Sequence, residues 1–176
     1  MKKLIIYYSH TGNNALLAEK AAAGLGADIF RLMETKPRTT KTIVADMIFN
    51  RYPELNDIPD NIFDYDLVIF MGPVWMYHVA SPLRTCFKHV KSKIGKYAFV
   101  SMTGGALGPN TKISSELVKR LGKKLVINLD LNSAHLCTIN RNPTTKDTGS
   151  YLLSEHPDDL AHLVKIVVEV FKKINK

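Results

Sequence analysis

The feature that most constrains the fold is a set of short apolar runs that alternate with amphipathic helical patterns. Leu4–Tyr8, Asp66–Met71 and Tyr97–Met102 are apolar at nearly every position, which is typical of strands buried on both faces of a sheet. Ala27–Leu32 alternates like a half-covered edge strand, and Leu125–Leu131 is a fifth run. Because parallel strands need helical crossovers, this alternation predicts an α/β fold with a doubly wound, five-stranded parallel sheet and helices on both faces.

The helices predicted between the strands are bounded by glycines, capping residues and apolar residues at helical spacing. Ser81 is the expected N-cap of the third helix. The stretch from Asn140 to Asp147 is predicted to be an exposed loop, because it is polar and contains Pro143. A chain of 176 residues is predicted to form one domain, residues 1–176. The approximate helix ranges are 14–25, 39–51, 81–95, 110–121 and 157–174.

Composition excludes several classes of protein. The formal net charge is +8, but no nucleic-acid recognition motif accompanies it, so we expect no nucleic-acid partner.

Cys86 and Cys137 lie far apart, which favours a reducing compartment. His135 lies near Cys137 without a third ligand, and we expect no metal site. No apolar run suits a secretory leader or a membrane span, so the predicted location is cytoplasmic.

The residues after the first strand have the composition of an anion-binding loop. They precede a helical pattern, and backbone N–H groups at a helix start lack internal partners and attract anions. Hydroxyl donors, a glycine that allows close backbone approach and a capping asparagine would suit such a site. A simple capped turn between strand and helix is the alternative interpretation of the same residues, since serine, threonine and asparagine are common caps. The loop consists of Ser9, His10, Thr11, Gly12, Asn13 and Asn14.

Two further strand ends carry unusual residues. Gly72–His78 follows the second buried strand, and Thr103–Gly108 follows the third. In a doubly wound sheet, ligands bind beyond the carboxyl ends of the strands, where the strand order reverses. The three loops therefore predict a single ligand site.

The three loops resemble those of the flavodoxin-like family, whose members bind FMN at this point of the sheet. Ser9–Asn14 is similar to the family's T/S-x-T/S-G-N-T phosphate loop, with Asn14 replacing the usual threonine. Residues 72–77 resemble the loop that borders the flavin ring in the quinone-reductase and short flavodoxin branches. Residues 80–87 resemble the A-x-P-x-[KR]-x-F helix start of those branches, and 103–105 matches their T-G-G-type loop. The resemblance implies the strand order 2-1-3-4-5.

The resemblance also implies which residues contact FMN. The phosphate would bind to residues 9–14, and the ring would lie against Pro73, Val74, Trp75, Met76, Tyr77, Thr103, Gly104 and Gly105. Trp75 is the only tryptophan, and an aromatic face suits a flat ring. Tyr77 and His78 are candidate catalytic residues that could hydrogen-bond to a quinone oxygen or to reduced flavin. An ordinary exposed histidine is the alternative for His78.

The expected function is FMN-dependent oxidoreduction, from NAD(P)H or a reductase to a quinone-like small molecule. A flavodoxin-type carrier that serves a redox protein is the alternative within this class. Family carriers are typically acidic, so the charge of +8 argues against a simple carrier. A non-catalytic module that binds an anion or a protein is a further alternative, since fold alone does not establish function. The oligomeric state stays open, a homodimer included.

Overall fold

A five-stranded parallel sheet forms the centre of the fold in the computed structural model, which describes residues 1–91, 94–105, 108–136 and 144–174. The sheet order is β2-β1-β3-β6-β7, and every neighbouring pair is parallel. With the separate hairpin β4–β5 left out of the count, this is the predicted order 2-1-3-4-5, so the predicted fold class is confirmed. The strands are β1 (Lys3–Tyr7), β2 (Asp28–Arg31), β3 (Leu67–Met71), β4 (Val74–Trp75), β5 (His78–Val79), β6 (Lys96–Thr103) and β7 (Leu125–Asn132).

The crossover helices lie close to their predicted positions, with two corrections. Ser81 is not the N-cap of α3, because Ala80 occupies that position and the Ser81 hydroxyl donates to Asp46 over 3.1 Å. Residues 144–147 do not form a loop, because Thr144 and Asp147 form a capping box that starts α5. Asn140–Pro143 lies outside the described residues. The helices are α1 (Asn13–Leu25), α2 (Thr40–Ile48), α3 (Ser81–Val90), α4 (Ile113–Leu121), α5 (Thr145–Gly149) and α6 (Pro157–Lys173).

The sheet separates two hydrophobic cores, because successive side chains of a strand point to opposite faces. In β3, Val68 and Phe70 enter one core, where α3 and α4 pack. Leu67, Ile69 and Met71 enter the other core, which α1 and α6 cover. The three central strands are buried on both faces, and their carboxyl ends all lie at one edge of the sheet. No helix within the described ranges is long and apolar enough to cross a bilayer.

Candidate functional site

Three loops meet at the carboxyl edge of the sheet, because β1, β3 and β6 are parallel neighbours. The strand pairing continues a little way into the loops. The Tyr8 N–H donates to the Met71 carbonyl over 3.0 Å, and the Gly72 N–H donates to the Val100 carbonyl over 3.1 Å. The beginnings of the first two loops are therefore fixed by the sheet itself.

The first loop leaves the start of α1 open to a ligand. Gly12 is the N-cap with a φ of 103°, and no side chain caps the helix, so the asparagine cap predicted from the sequence is wrong. The Gly12 N–H donates to the Ser9 hydroxyl oxygen over 3.1 Å, which leaves the hydroxyl proton of Ser9 able to donate outward. His10 and Thr11 are exposed. The loop thus combines backbone and hydroxyl donors at a helix N-terminus.

The two asparagines hold the loop in place instead of facing a ligand. The Asn13 amide donates to the Tyr151 carbonyl over 2.7 Å and accepts from the Leu153 N–H over 2.9 Å. The buried Asn14 amide donates to the Met102 carbonyl over 2.9 Å and accepts from its N–H over 3.1 Å. The side-chain donor expected from Asn14 is therefore already committed. The backbone N–H groups of these residues at the start of α1 face no such partner within the helix and are the donors best placed for an anion.

The second loop is the β4–β5 hairpin, whose two turn residues have left-handed backbones. Met76 has a φ of 49° and Tyr77 a φ of 64°, as a type I′ turn requires at both central positions. Left-handed backbone costs non-glycine residues roughly 1–3 kcal/mol each, and the hairpin packing must offset this cost. The turn leaves the side chains of Met76 and Tyr77 largely exposed beyond Trp75.

Trp75 is held by rings and a cation on several sides. Its ring lies edge-on to Tyr8 at 5.8 Å and to His10 at 6.1 Å, measured between ring centroids. The guanidinium carbon of Arg38 lies 5.4 Å from the Trp75 ring centroid, within cation–π range. The indole is therefore fixed in orientation, and the His10 ring connects the first loop to the second.

Arg38 belongs to a largely buried ionic network that the sequence analysis missed. It forms ion pairs with Glu34 and with Asp46, the latter at 2.9 Å, and Glu34 also accepts from the Tyr8 hydroxyl over 2.8 Å. Burial opposes the Arg38 charge, but the hydrogen bonds to the two carboxylates outweigh it and raise its pKa. Burial and the Glu34 bond raise the pKa of Tyr8. Glu34 and Arg38 lie in the non-helical segment between β2 and α2, so the i,i+4 rule for helices could not have pointed to this pair.

The third loop needs glycine for steric reasons. A Cβ at Gly104 would lie 2.8 Å from the Thr148 hydroxyl oxygen. A Cβ at Gly105 would lie 2.5 Å from the Asn132 side chain, and Gly105 also has a φ of +74°. The buried hydroxyl oxygen of Thr103 has no hydrogen-bond partner in the described part of the chain. The remainder of this loop includes Ala106 and Leu107, which lie outside the described residues.

The second and third loops line a cleft of about 410 Å³. Its volume lies within the usual range for small-molecule sites, roughly 300–1,000 Å³. Two walls were not predicted: Ile43 and Val44 of α2, and Thr148 and Gly149 of α5. The α5 segment also connects the cleft to the first loop, since Asn13 binds the chain just beyond it. The loop residues of the cleft are Val74, Trp75, Met76, Tyr77, Thr103, Gly104, Gly105, Gly108 and Asn110.

The structure places the two candidate catalytic residues on different sides of the hairpin. Tyr77 lines the cleft, as expected. His78 does not, because its Nδ1 lies 3.3 Å from the Glu116 carboxylate and its ring borders a second cleft. Pro73, just before β4, is buried, and its carbonyl accepts from the Ala80 N–H over 3.1 Å. The role expected for His78 beside a ring therefore has no support in its position.

Of the cysteines and the possible metal ligands, the described residues Cys86 and His135 do not line the cleft. Cys86 is fully buried, and burial raises the pKa of its thiol to about 12, so it is unreactive near neutral pH. Cys137 lies outside the described residues, so its distance from His135 is not defined. Among the residues that the structure describes, no three His, Cys, Asp or Glu side chains cluster as metal ligands.

The chain has the same fold as several solved flavoproteins. It is 22% identical to a protein of Bacteroides eggerthii proposed to be a flavoprotein, with a TM-score of 0.66 over 74% of this chain and 87% of that one. A flavoprotein of Lactobacillus acidophilus, solved in complex with FMN, is 22% identical with a TM-score of 0.62 over 77% and 95% of the chains. An NADPH-quinone reductase of P. pentosaceus is 12% identical with a TM-score of 0.53 over 97% of each. No protein-family model and no curated protein matches. The likeness establishes the flavodoxin-like fold.

Proposed function

We propose that the chain is an FMN-binding oxidoreductase that passes electrons through flavin to a small acceptor. The observation that carries the proposal is the cleft at the ends of the central strands, between Trp75 and the loop at 103–105. The buried Thr103 hydroxyl on its wall supports a ligand with polar edges, because it finds no partner within the described residues. Buried hydroxyls are normally paired, and the edge of a flavin ring offers both donors and acceptors.

No described residue of the first loop lines the cleft, but His10 of that loop contacts Trp75, which does. The proposed cofactor would extend from the cleft to this loop. Its phosphate would accept hydrogen bonds from the first-turn N–H groups of α1 and from the hydroxyls of Ser9 and Thr11. Its ring would pack against Trp75, with the backbone of Gly104 and Gly105 near its edge. Bound flavin supplies one- and two-electron redox chemistry. The chain supplies orientation through these groups and exclusion of water through Ile43, Val44 and Val74.

The names of two structural neighbours support this choice of cofactor and reaction. One is a flavoprotein solved with FMN, and another is an NADPH-quinone reductase. We extend both properties to this chain as a proposal, with NAD(P)H as reductant and a quinone-like molecule as acceptor.

FMN binding tests the proposal directly, by titrating the protein into FMN and following flavin fluorescence. Gly12→Val should weaken binding at least about tenfold, because the new side chain forces the φ of +103° out of place and crowds the phosphate donors. Gly122→Val is the matched control, since Gly122 has a φ of +95°, equally open surroundings and a position at the far end of α4. Failure of the parent protein to bind FMN would refute the proposal.

A second assay separates an enzyme from an electron carrier. With FMN bound, an enzyme should oxidise NADH or NADPH when menadione is present, whereas a carrier should be reduced only by a partner reductase. Tyr77→Phe should lower turnover with menadione while leaving the FMN dissociation constant unchanged, because phenylalanine keeps the aromatic ring on the cleft wall and removes only the hydroxyl. Equal turnover by the parent and this variant would contradict the proposed role of Tyr77.

A further inference from the structure

A second cleft, of about 570 Å³, lies on the opposite side of the β4–β5 hairpin, between α3 and α4. Its described lining contains six cationic side chains and a single carboxylate, that of Glu116. Such an excess of one sign in a concave surface focuses the electrostatic potential and concentrates ions of the opposite sign. The cationic residues are Arg84, Lys88, Lys91, Lys112, Lys119 and Arg120.

Glu116 offsets only part of this positive charge, because a carboxylate carries one negative charge and six cationic side chains line the cleft. It accepts from the Arg120 Nε over 2.7 Å and from the Val79 N–H over 3.1 Å, and its other contact is His78 at 3.3 Å. The carboxylate therefore balances one guanidinium and anchors the hairpin. Among the described residues that line the cleft, no lysine forms an ion pair with this carboxylate.

Arg84 is the buried end of the cleft, and its charge lacks a direct carboxylate partner. Only 2% of its surface is exposed, and it donates to the Asn50 amide oxygen over 2.9 Å and to the Asp46 backbone carbonyl over 3.1 Å. Its Nε is buried and has no acceptor in the described part of the chain. Burial and the nearby charge of Arg120 lower its pKa. A buried guanidinium in this state is stabilised by an anion.

The opposite wall is organised before any ligand arrives. Arg120 donates to the Tyr52 hydroxyl over 3.1 Å and to the Asn50 amide oxygen over 3.4 Å, so Asn50 joins the two guanidinium groups. Burial raises the pKa of Tyr52, but the Arg120 bond and the positive charges outweigh it, so the net shift is downward. Arg84 is held by neutral oxygens alone, whereas Arg120 is also paired with Glu116, so the uncompensated positive charge of this pair is that of Arg84.

We propose that this second cleft binds a small organic phosphate that carries at least two phosphate charges. Arginine forks match phosphate oxygens in a bidentate manner, and the lysines on the rim add charge without rigid geometry. The concave shape and the volume suit a nucleotide-sized molecule. The site does not depend on bound flavin, so it would explain part of the net charge of +8 whatever the first cleft holds.

Isothermal titration of the flavin-free protein with inorganic pyrophosphate, ADP and NADP⁺ tests the proposal. The double variant Lys88→Gln/Lys119→Gln removes two exposed lysines of the cleft, and it should raise the dissociation constant at least about tenfold. The matched control Lys123→Gln/Lys172→Gln removes the same charge outside the cleft and should change it less than about threefold. Neither pair contributes to a core, so both variants should fold.

The three probes distinguish the sources of the phosphate. Similar affinity for all three would mean that the phosphate groups alone are recognised, whereas clearly tighter binding of NADP⁺ would identify a dinucleotide; both results support the site. The proposal would be overturned if no probe bound up to about 10 mM, or if the control lost as much affinity as the cleft variant. Because flavin is absent throughout, failure here is separable from failure of the proposed oxidoreductase function.

Discussion

Asn14 connects the start of α1 to the end of β6, just before the third loop, and its removal should reveal how the site is held together. In the sheet register, Met71 at the end of β3 pairs with Val100 of β6, so β6 extends past the end of its neighbour. On the side that faces β3, the backbone N–H and carbonyl of Met102 therefore have no strand residue to pair with. The Asn14 amide replaces the missing strand by donating to the Met102 carbonyl and accepting from its N–H, over 2.9 and 3.1 Å.

The cost of Asn14→Ala follows from these two bonds. Each contributes about 1 kcal/mol net, and each buried backbone group of Met102 left unpaired adds a desolvation penalty of similar size. Partial relaxation reduces the sum, and we expect the free energy of unfolding to fall by about 3 kcal/mol. For a chain of this length, each kcal/mol corresponds to about 3 °C, so Tm should fall by about 9 °C.

Urea denaturation of the parent and the variant, followed by far-UV circular dichroism, measures this loss. Asn128→Ala is the matched control, because its amide makes an exposed hydrogen bond of 3.1 Å to the Ser114 hydroxyl; we expect it to cost less than about 1 kcal/mol. Hydrogen exchange at the Met102 amide should accelerate in Asn14→Ala and stay unchanged in the control. A loss for Asn14→Ala no larger than that of Asn128→Ala would refute the reasoning.

Two further predictions concern buried ionisable groups. Arg38→Met leaves the largely buried Glu34 and Asp46 carboxylates without their cation; urea melts followed by Trp75 fluorescence should show a loss of about 3 kcal/mol, against almost none for the exposed Arg51→Met. The native Cys86 thiol stays protonated up to about pH 12, whereas an unfolded thiol ionises near pH 8.5. The unfolded state therefore binds fewer protons between these values, and stability should fall as pH rises through this window. Cys86→Ala should flatten that fall, and an unchanged pH dependence would contradict the assignment.

The fold was predictable because its determinants are local and repeated. The strand predicted at Asp66–Met71 is observed at Leu67–Met71, since a run buried on both faces tolerates few polar residues. Helix α5 was missed for the opposite reason. It has five residues without an apolar stripe, so its only signal was the spacing of Thr144 and Asp147 in a capping box.

The site was predictable only as far as the positions of its loops. The strand order predicts that three loops lie close together, namely residues 9–14, 72–78 and 103–105. It does not predict the direction in which each side chain of these loops points. His78 turns to Glu116, which is 38 positions distant, and the turn at Met76–Tyr77 lacks the Asn-Gly pattern that marks a type I′ hairpin. Asparagines that resembled ligand donors are used to join loops, a choice that depends on which backbone groups the sheet leaves unpaired.

The stretch between β2 and β3 forms a wall of both clefts. Ile43 and Val44 of α2 line the first cleft, and Asn50 and Tyr52, just beyond its end, line the second. Asp46, between them, fixes this segment: its carboxylate accepts from Arg38 and from Ser81, and its backbone carbonyl accepts from Arg84. Arg38 contacts the Trp75 ring, while Arg84 forms the buried end of the basic cleft. One buried residue therefore contacts both arginines, and the segment that includes α2 contributes to the walls of both clefts.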